Sequence, residues 1–286
     1  MSDRSGLSTK KYKVGIVVPS YNQGNYLEKA LESIVQNMQH ISIDLVVMDG
    51  GSKDNSIDII KKYERYISYW QSQADGGQAA AINSGMKHLG DCEYVMWLNS
   101  DDEYENEWSV CRIAEWAEKT GADVCYGKSY LIDRESKRIG EYDTKEFSLK
   151  GLNNECYISQ PSVMIRKDIW EREGGLDERL MMCLDYEFWI RLAKKYRFSY
   201  CGMFIGNTRI YEDTKTSTMQ GRHLCEAISI LQKQFGYVPM RWISTEWIWE
   251  NGIKVRNRVH LYVLSAFLLL RKKKIIREMG DRCGYR

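Results

Sequence analysis

The sequence lacks the long apolar runs of a membrane-spanning protein, and no stretch reaches the roughly 18 apolar residues of a transmembrane helix. Residues 1–13 are polar where a secretory signal peptide would have an apolar centre, so we expect none. The eight cysteines are scattered, with no CxxC spacing and no close cysteine–histidine cluster. This pattern argues against a zinc site and favours a reducing compartment. Together these absences predict a cytoplasmic protein.

The charge is nearly balanced overall but is unevenly spread. The 286 residues carry a net charge of +2, with 43% hydrophobic and 28% charged residues, which is ordinary for one large or two modest globular domains. Residues 253–286 hold ten lysines and arginines and two acids, a local charge of +8 that leaves −6 for the rest. A basic end on an acidic body predicts contact with an anionic surface. We expect no nucleic-acid partner.

Short apolar runs alternate with amphipathic helical patterns up to residue 120. The runs that predict strands lie at 14–18, 43–48, 69–72 and 94–98. Asn25 and Glu28 form a capping-box pattern that predicts the start of the first helix. Further predicted elements are short strands of a mixed extension of the sheet at 124–126 and 129–132, and amphipathic helices at 186–193 and 224–231. This alternation is typical of an α/β fold with a Rossmann-like, doubly wound, mostly parallel sheet and helices on both faces.

Polar loops follow three of these strands, at the edge where parallel strands deliver their ligands. Pro19 and Tyr21 follow the first strand, and they fit either a strand-ending turn or a loop that holds a nucleobase or ribose. Asp49, after the second, is either an exposed loop acid or an acceptor for the imide N–H of uracil. Asp75 to Gln78 begin a helix whose free N–H groups would suit a diphosphate, although a simple cap and turn uses the same residues.

Two further stretches place carboxylates where chemistry is expected. Asn99, Asp101 and Asp102 follow the strand at 94–98 and offer the hard oxygen ligands that Mg²⁺ or Mn²⁺ takes together with substrate phosphates. An acidic turn is the alternative interpretation of this stretch. Asp185 begins an amphipathic helix, either as an ordinary cap or as a general base. These residues favour a phosphorylated ligand held through a divalent cation, with a sugar nucleotide as the leading candidate.

Taken in order, these stretches resemble the inverting family-two glycosyltransferases of the GT-A fold, and most closely the bacterial branch that builds cell-surface polysaccharides. The matching text is Val-Val-Pro-Ser-Tyr-Asn at 17–22, Asp-Gly-Gly-Ser-Lys-Asp at 49–54, Asp-Gly-Gly-Gln-Ala-Ala-Ala-Ile-Asn at 75–83, Trp-Leu-Asn-Ser-Asp-Asp at 97–102, Gln160-Pro161, Gly-Gly-Leu-Asp at 174–177 and Asp-Tyr-Glu-Phe-Trp at 185–189. The likeness spans residues 13–217, and its specificity lies in the order and spacing of the motifs.

The resemblance implies a role for each matching position. The residues that the resemblance places along the nucleoside and phosphates are Pro19, Tyr21, Asp49, Asp75, Gly77 and Gln78. Asn99 and Asp101 occupy the ends of the family's DXD motif, with Asp101 as the direct ligand of Mn²⁺ or Mg²⁺. Asp185 matches the catalytic base. Those implied to lie toward the donor or acceptor sugar are Asp102, Gln160 and Pro161.

The sequence departs from the family pattern at two places. Asn99 replaces the usual first aspartate of the motif, which lowers the expected metal affinity and leaves Asn99 to serve the nucleotide's ribose. Tyr211 stands where the corresponding segment often carries histidine. If that histidine helps to bind metal or phosphate, its help is missing here or comes from Glu212, Asp213 or Lys215.

The resemblance implies a single displacement at the anomeric carbon, in which Asp185 takes a proton from the acceptor hydroxyl and the ion at Asp101 offsets charge on the leaving nucleoside diphosphate. A UDP-sugar is the favoured donor because Asp49 suits uracil, and dTDP or GDP donors stay open. The acceptor would be a glycan or polyprenyl-linked molecule in O-antigen or capsule synthesis.

Two alternatives to transfer remain open. A nucleotidyltransferase usually has a basic glycine-rich loop after its first strand, and residues 20–25 contain no lysine or arginine. A non-catalytic scaffold that binds sugar nucleotides is the other alternative, and the intact Asp101 and Asp185 argue against it.

We expect a GT-A domain at 1–220, with a nucleotide-sugar half at 13–120 and an acceptor half at 121–220, and a helical, basic C-terminal extension at 221–286. Within the extension, the apolar segment 259–270 is flanked by cations. Such a segment fits peripheral contact with the anionic inner face of the cell membrane. The alternative is packing on the protein's own core or on a second subunit, which would make a homodimer.

Overall fold

The computed structural model describes residues 12–212, 214, 218–242, 274 and 276. The density of contacts divides the chain into two compact units. The larger unit comprises Met1–Phe147, Tyr157–Glu178 and Tyr196–Ile210, and the smaller one comprises Ser148–Cys156, Arg179–Lys195 and Tyr211–Arg286. The predicted domain boundary at residue 220 stays a prediction.

A single sheet of nine strands runs through the described part of the larger unit. The strands are β1 Lys13–Ser20, β2 Ser42–Asp49, β3 Tyr69–Ser72, β4 Tyr94–Trp97, β5 Glu103–Tyr104, β6 Val124–Ile132, β7 Arg138–Glu141, β8 Val163–Arg166 and β9 Phe198–Arg209. Their order in the sheet is β3-β2-β1-β4-β8-β6-β9-β5, with β7 paired to β6. The predicted strands at 14–18, 43–48, 69–72 and 94–98 are therefore confirmed as β1 to β4.

Parallel pairing dominates only the first half of the sheet. β1 pairs in parallel with β2 and β4, and β2 pairs in parallel with β3, whereas β8 runs antiparallel to both β4 and β6. Parallel neighbours need a crossover of a dozen or more residues. The connection from β6 to β7 spans only residues 133–137, so that pair is an antiparallel hairpin. The prediction of a mostly parallel sheet holds for β1 to β4, and the sheet beyond them is mixed.

The helices connect the strands and also build the smaller unit. They are α1 Gly24–Asn37, α2 Ser56–Tyr63, α3 Gln78–His88, α4 Ser109–Thr120, α5 Leu149–Asn154, α6 Lys167–Glu173, α7 Leu184–Ala193 and α8 Gln220–Phe235, with short 3₁₀ turns at Glu64–Tyr66 and Gln160–Ser162. Helices α5, α7 and α8 belong to the smaller unit. The predicted helices at 186–193 and 224–231 are confirmed as α7 and α8.

Helices cover both faces of the sheet, as predicted. Ile16 and Val18 of β1 are fully buried in an apolar cluster with residues of α1, α2 and α4. Successive strand residues point to opposite faces, and on the other face α3 lies against β1 and β2. A Cβ added to Gly85 of α3 would lie 2.5 Å from Cγ1 of Val17 and 2.9 Å from Cγ of Met48. The backbone of α3 therefore approaches the sheet closely at Gly85.

One local prediction is wrong, and another is confirmed only in part. The capping box of Asn25 and Glu28 does not form, because α1 begins at Gly24 and its N–H donates instead to Asp54 Oδ2 at 2.8 Å. Glu28 pairs with Lys62. The strands predicted at 124–126 and 129–132 are one strand, β6, whose pairing with β9 shifts register between those two segments. In both places a tertiary contact overrides the local pattern.

The smaller unit is helical in its described part. The hydroxyl of Tyr186 in α7 donates to the carbonyl oxygen of Leu152 in α5, and the ring of Tyr186 stacks on Trp242 at a centroid distance of 5.8 Å. No helix among the described residues is both long enough and apolar enough to cross a membrane. The predicted membrane segment 259–270 lies outside the described residues, as does nearly all of the basic stretch 253–286.

Candidate active site

The sheet brings the predicted donor-site loops together at one edge of the larger unit. Strands β2, β1 and β4 lie side by side and run parallel, so their carboxyl ends meet. Asp49 is the last residue of β2, Tyr21 follows β1, and Asn99 and Asp101 follow β4. This edge is where open α/β sheets bind their ligands.

Asp49 organises the loop that leaves β2. Its Oδ2 accepts hydrogen bonds from the backbone N–H groups of Gly51 at 3.0 Å and Ser52 at 2.9 Å, and from Ser72 Oγ at 2.6 Å. Its Oδ1 accepts from Ser52 Oγ at 2.5 Å. Asp49 is only 1% exposed and is therefore not the exposed loop acid of the alternative interpretation. One acceptor position remains on Oδ1, so a contact with uracil stays a prediction.

Tyr21, Gly50 and Asp75 converge beside this loop. Tyr21 is 62% exposed, whereas Pro19 is buried within β1. A Cβ at Gly50 would lie 3.2 Å from Tyr21 Cδ2 and 3.2 Å from Asp75 Oδ2, so a side chain at this position would crowd both groups. An exposed aromatic face with a carboxylate at its side is the pair of groups that a nucleobase uses for stacking and hydrogen bonding.

The start of α3 lies against the loop that follows β4. Gly77 precedes the helix with a φ of +102°, which favours glycine, and its N–H donates to Asp75 Oδ1 at 2.8 Å. Gln78 Nε2 donates to Asn99 Oδ1 at 2.7 Å. The first N–H groups of a helix have no partner within the helix, and Gly77 has no side chain to cap them. The arrangement suits an anionic group at this end of α3.

The two carboxylates after β4 have different surroundings. Asp102 is buried, and its Oδ1 accepts from the backbone N–H of Arg209 at 2.9 Å. Burial, followed by the neighbouring charge of Asp101, raises the pKa of Asp102 well above its usual range. Asn99 Nδ2 donates to Asp102 Oδ2 at 3.2 Å. Asp101 is the more exposed of the two and can reach a cation, whereas the predicted contact of Asp102 with a sugar stays a prediction.

The side chains present fit a cation that takes most of its ligands from the substrate. No group of three or more histidine, cysteine, aspartate or glutamate residues in the described part of the chain is arranged to hold a metal alone. Mg²⁺ and ions like it are commonly bound by one or two carboxylates together with phosphate oxygens and water. Asp101 supplies such a carboxylate.

Arg209, which the sequence analysis did not single out, holds this loop from behind. It is the last residue of β9 and only 3% exposed. Its Nε donates to the carbonyl oxygen of Asp101 at 2.7 Å, and its Nη2 pairs with Glu103. Its Nη1 donates to the carbonyl oxygens of Asp133 and Arg134. No local pattern in the sequence marks Arg209, because its burial and its partners follow from the packing of distant segments.

Gln160 and Pro161 support the same region. Gln160 Nε2 donates to the carbonyl oxygen of Trp97, the last residue of β4, at 2.7 Å. A Cβ on Gly206 of β9 would lie 2.9 Å from Cβ of Pro161, so the proline fits closely over that strand. Both residues are buried behind the β4 loop, and their predicted place toward a sugar stays a prediction.

Asp185 lies in the smaller unit, as the second residue of α7. The N-cap residue of α7 is Cys183, so Asp185 is not the ordinary cap of the alternative interpretation. Desolvation raises the pKa of Asp185 to about 6, against the opposing hydrogen bond from the N–H of Tyr186. A carboxyl group whose pKa is raised toward neutral pH is suited to general base catalysis. Tyr211 and Glu212 are described, whereas Asp213 and Lys215 lie outside the described residues.

Comparisons with known proteins were made on both sequence and structure. The family model of Glycosyl transferase family 2 matches residues 15–174. A glycosyltransferase of Rickettsia typhi is 26% identical over 218 residues, which cover 72% of this chain and 66% of the relative. Staphylococcus aureus TarP, a poly(ribitol-phosphate) β-N-acetylglucosaminyltransferase, is 29% identical over 131 residues, which cover 44% of this chain and 39% of the relative.

Solved structures share the fold. S. aureus TarS 1–349 in complex with UDP-GlcNAc aligns with a TM-score of 0.63 at 16% identity, over 82% of this chain and 71% of that one. The mannosyltransferase PcManGT of Pyrobaculum calidifontis, in complex with GDP-Man and Mn²⁺, aligns with a TM-score of 0.60 at 13% identity, over 96% of this chain and 85% of that one. The predicted α/β fold of the GT-A type is confirmed.

Substituting Arg209 tests its support of the β4 loop. Arg209→Lys keeps the charge but cannot reach the carbonyl of Asp101, Glu103 and the other acceptors together. We expect the free energy of unfolding to fall by about 3 kcal/mol, the scale for disrupting a buried ion pair. Urea unfolding followed by circular dichroism measures it.

The matched control is Arg138→Lys. Arg138 pairs with Glu105 but its side chain is 55% exposed, so the same substitution should change the free energy of unfolding by less than about 0.5 kcal/mol. Equal losses in the two variants would show that Arg209 has no special structural role.

Proposed function

The chain belongs to glycosyl transferase family 2, and we propose that it is an inverting glycosyltransferase that moves a sugar from a nucleotide-sugar donor to an acceptor hydroxyl. The observation that carries the proposal is the meeting, at one sheet edge, of the exposed Tyr21 ring, the Asp75 carboxylate, the start of α3 and Asp101. Tyr21 and Asp75 suit a nucleobase, the start of α3 suits a diphosphate, and Asp101 suits a cation.

A UDP-sugar is the donor we favour. TarS was solved with UDP-GlcNAc and also with UDP, which supports a uridine nucleotide in a protein of this fold. PcManGT carries GDP-Man, so a guanosine donor is the competing choice. The proposed acceptor is a glycan or polyprenyl-linked molecule in the synthesis of a surface polysaccharide such as O-antigen or capsule. TarP, whose acceptor is poly(ribitol-phosphate), supports an acceptor of that general kind.

Asp101 would hold the divalent cation, Mn²⁺ or Mg²⁺. The ion, when bound, offsets negative charge that develops on the departing nucleoside diphosphate. The Asn99 amide contributes indirectly, because its oxygen accepts from Gln78 and its nitrogen donates to Asp102. Asn99 thereby fixes the turn that presents Asp101. The presence of Mn²⁺ in the PcManGT complex supports a metal in this fold.

Asp185 would act as the general base. It accepts the proton of the acceptor hydroxyl while that oxygen attacks the anomeric carbon and the nucleoside diphosphate leaves from the opposite side. One displacement inverts the configuration, so a UDP-α-sugar gives a β-linkage. Because Asp185 must be ionised to accept the proton, turnover is expected to rise with pH through about 6.

A panel of UDP-, GDP- and dTDP-sugars, each with Mn²⁺ or Mg²⁺, tests the proposal. We expect at least one donor to release its nucleoside diphosphate in the presence of glycan or lipid-linked acceptors. Formation of a nucleoside triphosphate and a sugar 1-phosphate when pyrophosphate is added would instead identify a nucleotidyltransferase. Binding without release of either product, across the panel, would identify a scaffold.

Asp185→Asn tests the base. The variant should keep its affinity for the nucleotide while turnover falls by about a hundredfold or more, the low end for removal of a general base. The native pH–rate profile should show an acidic limb near pH 6, and residual turnover of the variant should lack it. Near-normal turnover of Asp185→Asn would remove Asp185 from this role.

Asp58→Asn is the matched control, because Asp58 also lies in the first turn of a helix, α2. It should leave turnover unchanged. A stability measurement checks that Asp185 is desolvated: the folded-state pKa is raised from 3.8 to about 6, so its ionised form costs stability above that range. Asp185→Asn should therefore exceed the native protein in stability above pH 6, and the gain should disappear as the pH falls to 3.8.

Asp101→Ala tests the cation. Calorimetric titration of UDP should show tight binding to the native protein only with Mn²⁺ or Mg²⁺, and the variant should lose that metal-dependent part. Asn99→Ala should weaken binding less, because Asn99 positions the turn through Gln78 and Asp102 rather than holding the ion. Equal affinity of the native protein with and without metal would show that the site works without a cation.

A further inference from the structure

A buried carboxylate on α8 holds the chain segment that leads into α7. Glu226 is only 3% exposed. Its carboxylate accepts from three consecutive backbone N–H groups, those of Met181 at 3.2 Å, Met182 at 2.9 Å and Cys183 at 3.1 Å. Three convergent N–H donors on one carboxylate form a charge-assisted set of hydrogen bonds, which are stronger than neutral ones.

The charge of Glu226 is balanced within its own helix. Arg222, one turn earlier in α8, donates from Nε to Glu226 Oε1 at 2.9 Å. A carboxylate taken out of water is costly unless it is paired and fully hydrogen-bonded. Glu226 meets both conditions, so the loss of its charge would leave three N–H groups, of which that of Cys183 is buried, with a weaker partner.

Residues 181–183, whose N–H groups donate to Glu226, end at the N-cap position of α7. Cys183 is the N-cap residue of α7 and makes no side-chain cap hydrogen bond; its Sγ lies 3.4 Å from the carbonyl oxygen of His223 in α8. Glu226 thus places a negative charge at the start of α7, where the helix dipole favours it. Asp185 follows Cys183 by two residues.

Glu226 and Asp185 both lie near Cys183, since the N–H of Cys183 donates to Glu226 and Asp185 follows two residues later in the first turn of α7. Burial, followed by the charges of Asp185 and then Glu226, raises the pKa of the Cys183 thiol well above its usual range. Because Cys183 is the N-cap residue of α7 and Asp185 lies in the first turn, the backbone position of Cys183 helps to set that of Asp185. The aspartate itself is fixed by the N–H of Tyr186 at 2.8 Å, inside the same first turn.

We propose that Glu226 is a positioning residue for the general base: it fixes residues 181–183 so that α7 begins in the geometry that presents Asp185. The inference rests on the proposed function, in which Asp185 accepts the acceptor's proton. It gives α8, which lies beyond the family match at residues 15–174, a part in the reaction. A catalytic group must be held to within about 0.5 Å of its productive position.

Glu226→Gln is the test, because it keeps the size of the side chain and removes its charge. UDP release is measured with the UDP-sugar of highest turnover in the panel. We expect kcat to fall about tenfold or more, on the scale of a small displacement of a catalytic group, with the donor KM unchanged. The acidic limb of the pH–rate profile should also shift, because the surroundings of Asp185 change. Glu171→Gln, an exposed glutamate of α6, is the control and should match the native enzyme.

A double-mutant cycle separates positioning from general stability. If Glu226 acts through Asp185, Glu226→Gln should cost no further turnover in an Asp185→Asn background. The same fold-loss in both backgrounds, or an unchanged kcat together with a lower melting temperature, would overturn the proposal. Near-normal turnover of Asp185→Asn alone would remove Asp185 from the base role, and with it this positioning role of Glu226, while leaving glycosyl transfer itself in place.

Amide hydrogen exchange and a second variant, Arg222→Met, test the contact of Glu226 independently. Amide hydrogen exchange at residues 181–183 should be about tenfold faster in Glu226→Gln, since charge-assisted bonds are the stronger ones, and unchanged exchange would overturn the contact without any assay of activity. If Glu226→Gln does not fold, Arg222→Met replaces it. The Arg222 side chain is 46% exposed, and its loss removes one donor to the carboxylate. It should give smaller changes in the same directions, and native-like kcat and exchange would overturn the proposal.

Discussion

The parallel alignment of β2, β1 and β4 is the constraint on which the donor side of this protein depends. Three adjacent strands that run in one direction must end at one edge, so the loops that contain Asp49, Tyr21 and Asp101 are neighbours by topology. The helices on both faces pack against those strands through a largely apolar interior. The edge is thus a rigid frame, and the polar side chains at it need only short loops to meet.

Buried charges fix the shape of those loops. Asp49 gathers N–H and hydroxyl groups after β2, and Arg209 gathers carbonyl oxygens and Glu103 behind the β4 loop. In the smaller unit Glu226 gathers three N–H groups before α7. Each charge is out of water and is tolerated only while its whole set of partners is in place. A loop held in this way has one low-energy arrangement, which is what a binding or catalytic group requires.

The two carboxylates proposed to hold the cation and to act as the general base differ in their surroundings, and the difference fits the proposed roles. Asp101 lies in a turn that is tied to Gln78 through Asn99 and to Arg209 through its own carbonyl, and its side chain remains accessible. Asp185 is desolvated at the start of a helix, and its pKa rises to about 6. A bound cation favours the ionised form of Asp101. A general base that works near neutral pH needs a raised pKa such as that of Asp185.

The sequence by itself determined the local elements and the order of the motifs. Strands β1 to β4 and the helix of Asp185 followed from apolar periodicity, which depends on neighbours a few residues apart. The motif order was enough to indicate the family. Arg209, by contrast, meets Asp101 across 108 positions and Glu226 meets Cys183 across 43, and no local pattern marks such partners. The failed capping box at Asn25 has the same origin, since Asp54 is supplied by another loop. Only the tertiary structure decided these contacts, and it also decided that Asp102 is buried beside Asp101. The reason is that a residue's burial and its hydrogen-bond partners depend on how the whole chain packs, and not on the residues next to it in sequence.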